Sequence, residues 1–384
     1  MKIAIVLPGG VDRSGEVRVI PAFLALIERL ARCHEIHVFA LRQESRPGTW
    51  QLAGATIHNA GHASRGAGAV VMRALNQLAA EHRRRPFDLV QSLFSGSAGF
   101  VACIAGARLG RPYAVHVAGG ELARLPDIHY GGRRTWAGRC REALVLRRAA
   151  AVSAASEPMI GALRDLGVEA HRIPLGVDTA RWLPRAPERR APHSTARLIH
   201  VASLNRVKDQ HTLLRALECL ALGGVDFHLD IVGEDTLTGE TQRLCAELHL
   251  ERRVTFHGFL PQAELRALMA RAHVCVMSSR HEAGPLAMLE AATLGVPTVG
   301  TRVGHIAEWA PDAALAVPVG EPESLAGALT SLLCDEELRC ALGRAALARV
   351  VTEDADYTAR AFESIYQQIT GQLSGSVAGA AGTA

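Results

Sequence analysis

Two glutamates stand eight residues apart in the segment 278–292, which joins the end of an apolar run to a helical pattern. Glu282 lies in the loop, and Glu290 lies about one and a half turns into the helix. Glu290 has apolar neighbours, and a buried carboxylate costs free energy unless it is paired or hydrogen-bonded. Ribose hydroxyl groups would satisfy it, so the pair predicts a site for a hydroxyl-rich ligand. The alternative is a helix-end carboxylate and a salt-bridged partner.

A single internal lysine is the second candidate. The chain has 42 Lys and Arg residues, and only Lys2 and Lys208 are lysines. A compact ammonium differs in shape and hydration from a guanidinium, so a lysine kept in an arginine-rich chain is a candidate functional residue. Lys208 and Arg206 lie in a turn before a helical pattern, where helix N–H groups also point. This combination suits a diphosphate, which gains charge as it leaves; a solvated basic turn is the alternative.

Glycine pairs follow two strand-like runs in the first half. Gly9 and Gly10 would let backbone amides approach an anion, although a plain turn is also possible. The GxGxxG fingerprint and the P-loop lysine are both missing, which excludes a dinucleotide fingerprint and a triphosphate P-loop. His116 ends a later run, just before a glycine pair and Glu121. We expect His116 in the polar wall of a ligand site, with a purely structural histidine as the alternative.

Strand-like runs and helical patterns alternate in both halves of the chain. Examples are the apolar runs 2–7 and 113–117 in the first half, and 197–203 and 274–278 in the second. This alternation indicates parallel sheets with helices on both faces, and continuous apolar runs indicate strands buried on both faces. We therefore expect an α/β fold of two tandem doubly wound, Rossmann-like domains that face each other across a cleft. Ligands should bind at the carboxyl ends of the strands.

The domain boundaries follow from changes in composition. Residues 181–196 hold three prolines and four arginines without periodicity, which predicts a surface linker. We expect an N-terminal domain at 1–180 and a C-terminal domain at 197–355. A last helix should span 356–370. The uncharged Gly, Ala and Ser tail 371–384 predicts disorder.

Composition excludes several classes of protein. The chain has 384 residues, of which 48% are apolar and 21% charged, as in a globular protein of two domains. No apolar run approaches the ~20 residues of a membrane-spanning helix, and no signal-peptide cleavage pattern is present. We therefore expect a cytoplasmic protein. The eight scattered cysteines form no CxxC pair, which argues against a disulfide framework and a zinc site.

Charge is divided unevenly between the two halves. Residues 1–180 hold 23 Lys and Arg against 14 Asp and Glu, whereas residues 181–384 hold 19 against 24. The first half is therefore +9 and the second −5. The basic half would suit an anionic acceptor or an anionic membrane surface, and a solvated arginine-rich face is the alternative. Few aromatic residues accompany these arginines, so we expect no nucleic-acid partner.

Taken together, the motifs resemble the retaining glycosyltransferases of the GT-B fold, family 4 (glycosyl transferases group 1), over roughly residues 1–370. The strongest element is the E-x7-E signature of Glu282 and Glu290. Supporting elements in the same order are Gly9-Gly10, the segment 173–178, the Lys208 turn, His257-Gly258-Phe259, and the segment 300–304 with Glu308.

The resemblance implies that 1–180 is the acceptor-binding domain and 197–355 the nucleotide-sugar-binding domain. It also implies a role for each matching residue. Glu282 would bind hydroxyls of the donor sugar, Glu290 the ribose, and Lys208 the diphosphate. His116 would lie near the sugar, and the last helix would return to the first domain. The family often has Gly-Arg where this chain has Ala202-Ser203, so Arg206 would replace that arginine. The implied catalytic residues are Lys208, Glu282 and His116, and the implied donor-binding residues are Gly9, Gly10, Arg206, Lys208, Gly258, Phe259, Glu282, Gly284, Pro285, Leu286 and Glu290.

The implied activity is transfer of a sugar from a UDP or GDP sugar to an unidentified carbohydrate, lipid or small-molecule acceptor, with retention at the anomeric carbon. It requires no cofactor and no metal. Within 118–140, the polar and glycine-rich character points to Glu121, Arg124 and Tyr130 as acceptor-binding residues. Asp354-Ala355-Asp356 matches a metal-binding DxD superficially, but its position before a helix predicts capping. A sugar phosphorylase, a nucleotide-sugar epimerase and a degenerate glycan-binding protein remain alternatives.

Overall fold

The computed structural model describes residues 1–62 and 66–380, without the side chains of 372–380. The chain forms two compact units. The first comprises Met1–Leu175 together with Ala355–Ala384, and the second comprises Gly176–Asp354. The boundary therefore falls five residues before the predicted one at 180. The last helix belongs to the first unit, as the family resemblance implies.

The segment 181–196 belongs to the second unit and is not a separate linker, which corrects the sequence-based prediction. Trp182 is 2% exposed. The backbone N–H of Arg185 donates to the Thr293 carbonyl at 2.8 Å, and the Arg190 guanidinium donates to the Leu333 carbonyl at 2.7 Å. Prolines prevent regular structure here, but these contacts still fix the segment to its unit.

The first unit contains an eight-stranded sheet with the order β3-β4-β2-β1-β5-β6-β7-β8. All neighbouring strands are parallel except β3 and β4. Its elements up to the boundary are β1 (Lys2–Leu7), α1 (Pro21–Ala31), β2 (Glu35–Ala40), β3 (Gly48–Leu52), β4 (Ala55–Asn59), α2 (Ala67–Arg84), β5 (Leu89–Leu93), α3 (Ser97–Leu109), β6 (Tyr113–Val117), α4 (Trp136–Arg148), β7 (Ala151–Ala154), α5 (Glu157–Arg164) and β8 (His171–Arg172).

The second unit contains a fully parallel six-stranded sheet with the order β11-β10-β9-β12-β13-β14. Its elements are β9 (Ala196–Val201), α6 (Gln210–Leu222), β10 (Phe227–Val232), α7 (Glu240–Glu247), β11 (Val254–Gly258), α8 (Gln262–Met269), β12 (Val274–Met277), α9 (Leu286–Thr293), β13 (Thr298–Thr301), α10 (Gly304–Trp309), β14 (Ala314–Val317), α11 (Pro322–Cys334) and α12 (Glu336–Thr352).

The second sheet is covered by a hydrophobic cluster on each face. Leu198 and Val276 belong to one cluster, whereas their chain neighbours Ile199 and Cys275 belong to the other. Successive side chains of a strand point to opposite faces, so a strand buried on both faces is largely apolar along its whole length. The continuous apolar runs in the sequence have this origin, and the predicted doubly wound fold is confirmed.

The final helix, α13 (Ala355–Ala380), packs on the first unit. Phe362 and Tyr366 are fully buried, and Asp356 in the first turn accepts from Arg29 Nε at 2.7 Å. The helix continues ten residues beyond the predicted end at 370. The backbone of 371–380 is therefore helical where the sequence predicts disorder, although the three glycines of this stretch disfavour a helix. The rest of the predicted tail, 381–384, lies outside the described residues.

Strand order identifies the functional edge of the second unit. The chain leaves β9 toward β10 on one side and leaves β12 toward β13 on the other, although β9 and β12 are neighbours. Such a reversal opens a crevice at the carboxyl ends of the two strands, where ligands bind in open α/β sheets. The loops that carry Lys208 and Glu282 follow β9 and β12 directly.

Candidate functional site

Lys208 and Glu282 form an ion pair at this crevice, although 74 residues separate them in the sequence. Lys208 Nζ donates to Glu282 Oε1 at 2.5 Å, and Ser279 Oγ donates to the same oxygen at 2.6 Å. The side chains of Lys208 and Glu282 are 23% and 9% exposed. The pair thus presents an ammonium and a carboxylate at the carboxyl edge of the sheet, as the sequence predicts for diphosphate and sugar contacts.

Hydroxyl groups hold the two loops together. Ser278 Oγ donates to the Lys208 carbonyl at 2.8 Å, and Thr301 Oγ1 donates to the Ser279 carbonyl at 2.5 Å. The backbone N–H of Arg280 donates to the Val207 carbonyl at 2.8 Å. These contacts join the loops after β9 and β12 to each other and to the end of β13. Sequence reasoning missed Ser278, Ser279 and Thr301; hydroxyl residues at the ends of adjacent strands were the available signal.

A buried histidine supports the start of α6 beneath Lys208. His200 Nδ1 lies 2.8 Å from the Val276 carbonyl, so this nitrogen carries the hydrogen, and Nε2 accepts from Gln210 Nε2 at 3.1 Å. Burial lowers the pKa of His200 to about 4, which keeps the ring neutral at pH 7. Asp209 caps the helix by accepting from the Thr212 N–H at 3.3 Å. The loop that carries Lys208 is therefore anchored at both ends.

Glu290 lies in the second turn of α9, as predicted, and is 6% exposed. Burial raises the pKa of this carboxyl group to about 8. Gln262 Nε2 lies 3.5 Å from Glu290 Oε1. Among the described residues no cation pairs with Glu290, so the carboxyl group is available to hydroxyl donors. Gly284, Pro285 and Leu286 form the start of α9, with Pro285 at its N-cap.

The end of β11 presents an exposed aromatic ring. Gly258 has a φ of +66°, a conformation that favours glycine, and its carbonyl accepts from the Gly233 N–H at 2.8 Å. Phe259 follows and is 48% exposed. The preceding His257 Nε2 lies 2.7 Å from Asp230 Oδ1. An exposed ring beside a strand end could stack on a base, which fits the donor-binding role that the resemblance implies for Phe259.

Arg206 is held by another partner. Its guanidinium donates to both carboxylate oxygens of Glu240, at 2.9 and 2.7 Å. The structure therefore anchors it on α7 and gives it no described contact with Glu282. The replacement of the missing arginine by Arg206 stays a prediction, because it requires this bidentate pair to open.

In the first unit, the glycine loop is occupied by a side chain that the sequence analysis missed. The N–H groups of Gly10 and Val11 both donate to Gln43 Oε1, at 2.6 and 2.9 Å. A Cβ at Gly9 would lie 3.2 Å from the same oxygen. An anion could reach the Gly10 amide only in place of the Gln43 carboxamide. Nothing in the local sequence indicates this, because Gln43 follows a different strand.

His116 is not in a polar wall, which corrects the expected position. It is the fourth residue of β6, is fully buried, and makes an edge-to-face contact with Phe362 of α13 at 5.3 Å. Its Nδ1 lies 3.0 Å from Ser153 Oγ. Burial lowers its pKa to about 3. A side chain without solvent contact cannot touch a sugar, so a catalytic role for His116 finds no support in this structure.

The predicted acceptor residues have different surroundings. Glu121 binds its own loop: its two oxygens accept from the Ser95 and Gly119 N–H groups at 2.9 and 2.7 Å, and burial raises its pKa. Tyr130 pairs through its backbone with Leu125. Arg124 is exposed. Glu121 thus stabilises the loop, and Arg124 is the residue of the three whose side chain is most open to solvent.

No group of three or more His, Cys, Asp or Glu side chains in the described residues is arranged to hold a metal ion. Asp356 of the predicted capping motif pairs with Arg29, as given above. None of the helices in the described part of the chain is both long enough and apolar enough to cross a membrane.

The buried histidines predict a loss of stability in acid. The pKa values of His116 and His200, about 3 and 4, lie below the value of 6.5 expected when the chain unfolds. Their contribution to stability is therefore complete above pH 6.5 and is lost as the pH falls toward the folded-state pKa, about 4 for His200 and about 3 for His116. By pH 5 each should lower the free energy of unfolding by about 2 kcal/mol. Urea unfolding at pH 7.5 and 5.0 measures this; for His116→Gln the difference between the two pH values should shrink, and an unchanged difference would contradict it.

Comparison with known proteins gives two family matches that follow the two units. The model described as "Glycosyl transferase 4-like domain" matches residues 19–176, and "Glycosyl transferases group 1" matches residues 186–349. Together they cover most of the chain. The second match contains Lys208, Glu282 and Glu290.

The chain spans about half the length of the curated relatives that it matches. N-acetyl-alpha-D-glucosaminyl L-malate synthase of Bacillus anthracis is 32% identical over 173 residues, which is 44% of this chain and 41% of the relative. D-inositol 3-phosphate glycosyltransferase of Corynebacterium jeikeium is 30% identical over 214 residues, 51% of each chain.

Solved structures match nearly the whole chain. Sucrose-phosphate synthase from Thermosynechococcus elongatus has a TM-score of 0.80 at 18% identity, and covers 97% of this chain and 100% of that chain. The Anabaena protein HepE in complex with UDP-glucose has a TM-score of 0.71 at 19% identity, with 98% and 100% covered. At these identities the likeness shows the fold.

Proposed function

Because this chain belongs to the family of glycosyl transferases group 1, we propose that it transfers a sugar from a nucleoside diphosphate sugar to an acceptor, with retention at the anomeric carbon. The observation that carries the proposal is the Lys208–Glu282 pair at the carboxyl ends of β9 and β12. Glu290, on the helix that follows Glu282, supplies a second carboxyl group, which would bind the ribose.

Each group has a task in the reaction. The bond between the anomeric carbon and the diphosphate oxygen breaks, and a bond to the acceptor oxygen forms on the same face of the sugar. The acceptor proton passes to the leaving diphosphate. Lys208, with the N–H groups at the start of α9, stabilises the negative charge that grows on the diphosphate. Glu282 accepts hydrogen bonds from the sugar hydroxyls, and this scheme includes no metal ion.

Glu290 and the end of β11 are assigned to the nucleoside. The Glu290 carboxyl group would accept from the ribose hydroxyls, and Phe259 would contact the base. The donor is a UDP or GDP sugar, which is supported by the likeness to the HepE complex with UDP-glucose. The relatives carry names of sugar transfer or synthesis with different acceptors. The acceptor of this chain therefore stays open within carbohydrates, lipids and small molecules.

Release of nucleoside diphosphate tests the proposal. Wild-type protein and the Glu282→Gln variant are incubated with UDP-glucose, UDP-N-acetylglucosamine and GDP-mannose, with and without a mixture of sugar, polyol and lipid acceptors. We expect release that depends on an acceptor and is lost in the variant. Release that depends on inorganic phosphate would favour a phosphorylase, and donor conversion without release would favour an epimerase. No release under any condition, together with no binding of any of the three donors, would favour a degenerate glycan-binding protein.

Helix α4 of the first unit carries exposed aromatic, apolar and basic side chains. Trp136 is 72% exposed and Leu144 is 40% exposed. Arg139 and Arg147 line the same cavity of about 280 Å³ as Trp136. Glu142, the one acidic residue of the helix, is buried and accepts from Arg133 at 2.9 Å. We therefore propose that the protein works in the cytoplasm at the inner face of the membrane, where a lipid acceptor would be available.

Vesicle flotation tests this contact. Binding should increase with the fraction of phosphatidylglycerol and decrease with salt, because each arginine near an anionic surface contributes about 1 kcal/mol. Arg147→Ala should weaken binding about fivefold, whereas Arg215→Ala, an exposed arginine on α6, should not. Flotation that is indifferent to lipid charge and salt would contradict the proposed contact.

A further inference from the structure

Gln262 is the described side chain that reaches the Glu290 carboxyl group with a hydrogen-bond donor. Its Nε2 lies 3.5 Å from Glu290 Oε1. Gln262 is the first residue of α8, and Glu290 lies on α9. A glutamine amide can present either its N–H or its oxygen, and only the N–H favours a carboxylate. The orientation of this amide therefore decides whether Gln262 helps or opposes ionisation of Glu290.

Trp182 determines that orientation. Its indole Nε1 donates to Gln262 Oε1 at 3.2 Å, and its side chain is buried. An indole N–H can only donate, so the glutamine oxygen must face Trp182 and the NH₂ group must face Glu290. The same two segments are joined a second time, because the Arg266 guanidinium donates to the Arg181 carbonyl. Trp182, Gln262 and Glu290 all belong to the second unit.

We propose that Trp182 and Gln262 are positioning residues for the donor site, in which Trp182 fixes the Gln262 amide so that its N–H supports the Glu290 carboxylate that holds the ribose. The inference rests on the proposed function for the identity of the ligand. The hydrogen-bond chain from Trp182 to Glu290 does not depend on it. No motif marks either residue, because they lie 80 positions apart.

The other titratable and charged groups around Glu290 do not stabilise its ionised form. Burial raises the pKa of Cys275, on β12 beside α9, to about 12, so this thiol is neutral near pH 7. On α12, which packs against α9, Arg339 is paired with Glu336 and Arg349 with Glu308. Gln262 is therefore the described group that favours the charged form of Glu290, against the effect of burial.

A pair of matched tryptophan variants tests the proposal. Trp309 is also buried in the second unit, and its indole N–H has no hydrogen-bond partner among the described residues. Trp182→Phe and Trp309→Phe therefore lose similar volume, but only Trp182→Phe loses a hydrogen bond. Gln262→Met removes the amide itself and provides a second variant in case Trp182→Phe does not fold.

Calorimetry with UDP and GDP between pH 6 and 9 gives the readout. We expect Trp182→Phe to weaken binding about threefold to tenfold at pH 7 and Gln262→Met about tenfold. In both, the pH at which affinity reaches its plateau should rise, whereas Trp309→Phe should match the wild type. If Trp182→Phe and Trp309→Phe both bind the nucleotides with the affinity and pH profile of the wild type, the positioning role is overturned and the proposed function is not affected. Wild type that binds neither nucleotide would overturn the proposed function instead.

Discussion

Replacing Lys208 by alanine should lower kcat by about 10²- to 10³-fold, the usual cost of removing one preorganised group that stabilises transition-state charge. Lys208 Nζ is the ammonium at the crevice between β9 and β12, and its charge matters most when the diphosphate leaves. Because that interaction is strongest in the transition state, kcat and kcat/KM should fall together. Steady-state kinetics with the preferred nucleotide sugar measures both.

Two further variants define the effect. Lys208→Met keeps most of the side-chain length without the charge and should be about as slow as the alanine variant. Arg215→Ala removes a cation from the same unit, at an exposed position paired with Glu218, and should leave kcat unchanged. A Lys208→Ala enzyme with the kcat of the wild type would remove Lys208 from the mechanism.

Replacing Glu290 by glutamine should weaken donor binding about tenfold to a hundredfold, because a hydrogen bond to a charged group contributes about 1.5–3 kcal/mol. The change keeps the shape of the side chain, and its site lies away from the bond that breaks. The donor KM should therefore rise much more than kcat falls. Glu264→Gln, at an exposed position on α8, should leave both constants unchanged.

The pH dependence of binding separates a ribose contact from a packing defect. The pKa of Glu290 is raised to about 8 in the free protein, and ribose hydroxyls favour the ionised form. Binding below pH 8 must therefore release a proton. Wild-type affinity should increase as the pH rises from 6 to 8, by at most tenfold per unit. Glu290→Gln should give a flat profile, and normal donor affinity in this variant would contradict the ribose assignment.

The fold is predictable where burial alone determines the pattern. The strands β1 and β6 agree with their predicted limits, 2–7 and 113–117, because every residue of both strands is buried and most of these residues are apolar. The edge strand β3 is half-exposed and pairs antiparallel with β4, so it carries no such run. It was missed for this reason.

Helix α12 was also missed in the sequence, although it is partly buried. Its buried face includes Arg339 and Gly343, which conceal the helical period in the sequence. Arg339 is buried because its guanidinium pairs with Glu336 and donates to the His273 and Glu188 carbonyl groups. The two carbonyl groups come from other segments, so tertiary structure determines the burial of this residue.

The sequence predicts the part of the candidate site whose residues belong to local motifs. The loops with Lys208, Glu282 and Glu290 were identified because residues of these types follow strands. The position of His116 depends on Phe362, which α13 brings from the other end of the chain, so local sequence could not show that it is buried. Gln43 and Gln262 are supporting residues whose partners lie on other elements, and neither has a motif of its own.

The central claim, that the crevice of the second unit binds a nucleoside diphosphate, is tested most directly by thermal unfolding with UDP, GDP and ADP, each with and without EDTA. A ligand at about 100 times its Kd adds about 2.7 kcal/mol to the folded state, which is roughly 5–10 °C in Tm for a unit of this size. We expect a shift of this size from UDP or GDP, unaffected by EDTA and reduced in Lys208→Ala and Glu290→Gln. A wild-type Tm that none of the three nucleotides changes would contradict the claim.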